Sequence, residues 1–366
     1  MNAALPDPRR TDAGAIDVQR DVIAAAMADA LARGDDAAIR HALHALSPAR
    51  ARAAWQALSD LLDHPDPAAA EGVAMRYVAI PLIIVAGAVA DAVAGAVAGT
   101  VAGARTRMTV ADALPEISKV VALLEQHGAV GPTRNFGMGN ALCTVESLES
   151  LSPVSLWRAM HDPQARDLLA GLPPAPISVE PGREQVHLRF LIGAGVTPAH
   201  LPPLAETASN ISAWGMPLTR ELARQLAQPG LEILPMPRPP QSLIKAAWVG
   251  RCAQLEAALS LFLGNTVRRL RAAAGDPQAV LSAHRVEGGS GELRLSLSSP
   301  FDELLLEGFS WPLHPLDAVQ EIEQLFGQML TECRITDVTR IADVLPDVSA
   351  QGLRFVPAYR LPAAAH

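Results

Sequence analysis

The sequence predicts an α+β fold: N-terminal helices followed by two mixed α/β units, the second a ferredoxin-like β-α-β-β-β-α-β unit. Three observations predict it. Residues 17–62 repeat apolar positions at helical spacing. VAIPLIIVA (78–86) is apolar enough to be a strand buried on both faces, and QVHLRFLIGAGV (185–196) alternates and then becomes fully apolar, which suits a central strand. After residue 231, short strand-like runs alternate with long periodic segments.

The elements follow in chain order. VIAAAMADALARG stops at Gly34, and DDAAIRHALHAL forms a second helix. Ser47-Pro48 starts a third helix that reaches Leu62, and DHPDP (63–67) breaks the pattern. After the strand at 78–86, a helix is expected over Val110–His127, ended by Gly128. GPTRNFGMGNALCTVE reads as extended, and a short helix follows around Val154–His161. GLPPAPISVEPG is a linker, 185–196 a central strand, and the stretch through GMPLTRELARQLAQPG a helix. LEILPMPRPP (231–240) restarts the pattern as a strand. A helix over Ser242–Leu263 is expected to stop at Gly264. TVRRLRAAAG, ELRLSLSSP and ELLLEGFSWPL read as strands, then a helix over Pro315–Leu330 and the strand RITDVTRI. The expected organisation is a helical region at 1–70, a first α/β unit at 76–228 with an Ala/Gly-rich connector at 87–107, a second unit at 231–345, and a tail at 346–366.

Composition narrows the function classes. Hydrophobic residues make up 49% of the 366 and charged residues 19%, enough apolar material for packed cores. The net charge of −8 argues against non-specific nucleic-acid binding, which needs a basic face. Cys143, Cys252 and Cys333 show no CxxC spacing, so neither a disulfide framework nor a zinc knuckle is expected, and no secretory leader is visible. A soluble, cytoplasmic protein is the expectation. Residues 77–104 test it, because they are almost wholly apolar and carry Gly95, Gly99 and Gly103 at spacing four. Asp91 near the middle, at about 2.5–3.5 kcal/mol on insertion scales, and Pro81 argue against a membrane span.

Several stretches resemble an uncharacterised bacterial family, a domain of unknown function. They are RYVAIP (76–81), LEILPMP (231–237), IKAAWVGRCAQLEAALSLFLG (244–264), LLLEGFSWPLH (304–314) and CRITDVTRIADVLPD (333–347). The resemblance implies continuity of fold and no activity. The family's CxxC knuckle near the C-terminus is missing: Val348 and Gln351 stand where thiols would be, and neither binds a soft metal.

Two glycine-rich segments are the candidate ligand sites. In NFGMGNALC, Gly137 and Gly139 offer backbone N–H groups to an anion, flanked by Arg134, Asn135 and Asn140, with Cys143 nearby as a thiol. The structural alternative is a bulge needing positive φ, with Cys143 as a small buried hydrophobe. In FLIGAGVTP, Gly193 and Gly195 begin a dinucleotide fingerprint, but Pro198 occupies the third glycine position and no acidic residue ends a second strand. His41 and His44 share a helical face without an assignable third metal ligand, so no metal is expected. Glu146/Glu149 and Asp112/Glu116 read as solvated carboxylates. Arg268, Arg269 and Arg271 suggest an anion contact, but the stacking aromatics of RNA-binding sheets are missing. No acid, base and nucleophile assemble from these motifs, and no cofactor is implied. The expected function is a non-catalytic regulatory or protein-interaction protein, with a protein partner or a homo-oligomer. The alternative is an enzyme or small-ligand or nucleotide-binding protein with a site between the two α/β units.

Overall fold

The computed structural model describes residues 8–45, 47–63, 73–88, 108–130, 134–161, 172–173, 175–180, 184–198, 211–284, 291–299 and 306–342. The tail at 346–366, the knuckle positions and most of the 87–107 connector lie outside them. The chain divides into two compact units, Met1–Ala45 with Ala53–Gln254 and Leu46–Arg52 with Leu255–His366.

The N-terminal region is helical as expected: α1 (Pro8–Arg33), α2 (Asp36–Leu43) and α3 (Pro48–Asp63). Gly34 ends α1 with φ +76, the left-handed value that glycine adopts without strain. The rest of the first unit comprises β1 (Val73–Ala88), β2 (Met108–Val110), α4 (Ile117–Gln126), β3 (Arg134–Met138), α5 (Val145–Glu149), α6 (Pro153–His161), β4 (Ile177–Val179), β5 (Gln185–Pro198), α7 (Ile211–Leu226) and β6 (Leu231–Pro237). The helix expected over 110–127 begins only at Ile117. Its first residues are drawn into sheet-like pairing, with the Leu114 amide donating to Asn140 O at 2.8 Å.

Four strands form an antiparallel sheet in the order β3-β5-β1-β6, and β2 pairs with β4 separately. β1 is central, and its residues from Met75 to Ile84 are buried without a break, the pattern of a strand covered on both faces. Val78, Ile80, Leu82 and Ile84 share a core with Val120 and Leu124 of α4 and Trp214, Leu218 and Leu222 of α7. Part of the apolar 77–104 stretch is therefore sheet core, and no described helix is long and apolar enough to cross a membrane.

Proline in a central strand ordinarily breaks the ladder. Pro81 escapes this because its amide faces the end of β6. Its carbonyl accepts the Arg238 amide at 2.8 Å, and beyond the Pro239-Pro240 step pairing resumes between Ala79 and Gln241. On its other side, Phe190 directs its own N–H and C=O to Cys143 rather than to Pro81. The same alternation directs the residues of β6 at 232, 234 and 236 toward β1, so Pro235 and Pro237 occupy outward positions of this edge strand.

Two expectations for the second half are corrected. β6 does not open the second unit; it pairs with β1. TVRRLRAAAG is not a strand but the last turns of α8 (Leu243–Ala274), which passes Gly264 and ends before Gly275, φ +88. Leu259, Leu263, Val267 and Leu270 are buried, a helical spacing that outweighs one mid-helix glycine of about 1 kcal/mol. The first part of α8 lies in the first unit and the remainder in the second.

The second unit continues with β7 (Gln278–His284), β8 (Glu292–Ser298), β9 (Leu306–Pro312), α9 (Val319–Glu332) and β10 (Val338–Ala342). Its sheet runs β10-β7-β8-β9, with β10 parallel to β7 and the other pairs antiparallel. In chain order the elements from 231 to 342 are β-α-β-β-β-α-β, as expected, but the first β pairs in the other sheet and the second is β7 rather than TVRRLRAAAG, so they do not form one ferredoxin-like sheet. One face of this sheet is apolar and joins an aromatic cluster of Phe262, Phe309, Trp311 and Phe326. The other carries Ser282, Arg294, Ser296, Ser298 and Thr339, all buried.

Candidate functional site

The fold brings the two glycine-rich segments together. Both lie on neighbouring strands of the first sheet, where Met138 faces Gly193, Gly137 faces Ala194 and Arg134 faces Val196. The register shifts between Arg134 and Gly137, which marks a bulge. The residue with φ > 0 there is Asn135, at +53, not either glycine. Asparagine tolerates this conformation better than other side chains.

The four glycines separate into different roles. A Cβ on Gly193 would lie 2.6 Å from Phe136 Cζ, 2.9 Å from Gly137 O and 2.9 Å from Met138 Cγ, so close strand packing requires glycine here. Gly195 is buried opposite Arg76 of β1. Gly137 and Gly139 are exposed and adopt no left-handed φ. A Cβ on Gly137 would meet nothing within 4 Å, and one on Gly139 only Ile192 O at 3.8 Å. Neither conformation nor packing accounts for these two.

The anion cradle expected of this segment is largely spent on backbone pairing. The Gly139 amide donates to Ile192 O at 2.9 Å, and the Cys143 amide to Phe190 O at 3.0 Å. On the opposite side, the Leu142 amide donates to Asp112 O at 2.8 Å. Asn140 is exposed, and its carbonyl accepts from Leu114. Cys143 is buried and burial pushes its thiol above the ordinary range, the opposite of an activated nucleophile. FLIGAGVTP runs straight through as β5, without the turn into a helix N-terminus that a pyrophosphate requires.

A polar group that motif reading missed surrounds α5, whose N-terminus is capped by Thr144. Arg189 of β5 donates to Ala175 O at 3.1 Å and Pro176 O at 3.2 Å and feels the charge of Glu146. Burial raises the Glu149 carboxyl, as does Glu146, while Arg251 and His44 pull it down. Burial, then Arg189, lowers His187, whose Nε2 is buried without a hydrogen-bond partner. The carboxylates lie on α5, His187 and Arg189 on β5, and Arg251 and His44 farther away in the chain, so local spacing shows the Glu146/Glu149 pair but not the basic groups around it. Glu116, expected as a solvated carboxylate, ties α4 to α7 through Arg224 and also pairs with Lys119 at 2.8 Å. Among the described residues no three His, Cys, Asp or Glu side chains are placed to hold a metal ion, His41 and His44 included.

No family model, curated protein or solved structure matches this chain.

In the second unit, Arg268 donates to Asn265 at 2.8 Å, Arg269 pairs with Glu307, and Arg271 bridges Asp276 and the Cys333 carbonyl at 2.8 and 2.9 Å. A cleft of about 510 Å³ is lined by Arg52, Ala318, Val319, Gln320 and Glu323, none of them a motif residue. Arg52 there holds the turn before α9, donating to Pro315 O at 2.8 Å and to Asp317 O.

Proposed function

We propose that the chain is a non-catalytic regulatory or protein-interaction protein, and that its partner, a protein or a second copy of the chain, approaches the exposed strip of Gly137 and Gly139 at the end of β3. One observation carries this reading. Glycine weakens a strand, and where neither left-handed φ nor crowding calls for it, close approach of another backbone is the remaining physical reason. The pairing of Arg268, Arg269 and Arg271 within the second unit supports a protein partner over nucleic acid.

The framework under this strip also supports kinship with the split β-α-β plan, but in the first unit. Counted through β1, β3, β5 and β6, its sheet order is 4-1-3-2 with antiparallel neighbours, and α4 and α7 lie in the first and last crossovers. The segments that resemble the uncharacterised bacterial family fall on β1, β6, α8, β9 and the α9–β10 region. These are framework elements, so the resemblance supports shared architecture and adds no chemistry.

The test replaces both glycines with valine. Sedimentation velocity across concentration, with cross-linking in lysate, reads association of wild type and G137V/G139V. The expected result is a variant at least as thermally stable as wild type whose association is lost. Equal association in both proteins removes the strip from the proposal. A nucleotide or metabolite that co-purifies with the native protein, seen by native mass spectrometry and released on denaturation, overturns the non-catalytic reading in favour of a small-ligand protein or enzyme.

A further inference from the structure

We draw no further inference here: the strongest candidate, the buried hydroxyl-rich face of the second sheet formed by Ser282, Arg294, Ser296, Ser298 and Thr339, carries none because nothing among the described residues shows what covers it.

Discussion

Phe136 Cζ stands 2.6 Å from where Gly193 would carry a Cβ, and the carbonyl of Gly137 stands 2.9 Å from it. The ring can rotate away, but the carbonyl belongs to the paired strand and cannot. Gly193→Ala is therefore expected to cost about 1–3 kcal/mol, the range for overpacking a core. Gly137→Ala and Gly139→Ala, with open space around them, are expected to change stability by less than about 0.5 kcal/mol or to raise it. Urea denaturation of the three variants makes the comparison. Equal losses at all three positions contradict the division of roles.

The N-terminal helices are held to the α/β core by a carboxylate. Asp36 at the start of α2 accepts the Val154 amide at 3.1 Å and the Ser152 hydroxyl, and so caps α6 from another element. Asp36→Ala is expected to lose about 0.5–2 kcal/mol, the ordinary worth of a cap. The selective readout is hydrogen exchange. The Val154 amide should lose protection before amides of β5 do. Unchanged exchange at Val154 refutes the capping role.

The sequence was most legible where one physical signal acts alone. The helix ending at Gly34, the doubly buried β1 and the central β5 follow from glycine and from apolar runs. It misled where two signals compete. Gly264 looks like a stop, yet the buried series through Leu259, Leu263, Val267 and Leu270 continues the helix past it. β6 looks like the start of a new unit because RPP follows it, but its partner lies about 150 residues earlier in β1, and pairing across that distance leaves no local trace. At the candidate site, the bulge with positive φ is at Asn135, a residue the glycine pattern does not single out. Arg189, Arg251 and His44 gather around Glu146 and Glu149 only in three dimensions.

Acid should weaken the first unit partly through His187. Burial and then Arg189 depress its folded pKa below the unfolded value of about 6.5. Above the unfolded value both states are neutral and its contribution is complete. As pH falls below it, the unfolded chain takes up the proton first, and stability is lost as pH falls through the folded pKa. His187→Leu should flatten the change of urea midpoint between pH 7.5 and 5. An unchanged slope would show that other groups carry the acid response.

Pro235 and Pro237 remove two amide donors from the outward side of β6. Both prolines are buried, so these outward positions do not face solvent. Pro235→Val with Pro237→Val restores two donors in buried surroundings and is expected to lose about 1–3 kcal/mol for each donor left without an acceptor, read by urea denaturation. A double variant as stable as wild type would show that the restored donors find acceptors within the fold.

The boundary between the units at 254/255 falls within α8. At 1.5 Å per residue its 32 residues span about 48 Å. Its early turns also cover the first sheet: a Cβ on Gly250 would touch Leu188 Cδ1 at 2.9 Å and Phe190 Cε1 at 3.0 Å. A fragment ending at residue 242 would leave Leu188 and Phe190 without that cover, and one beginning at 255 would start in mid-helix without a cap. Protease mapping and gene truncation at the α8 boundary, the usual ways of separating a two-unit chain into working halves, therefore find no neutral breakpoint among its described residues.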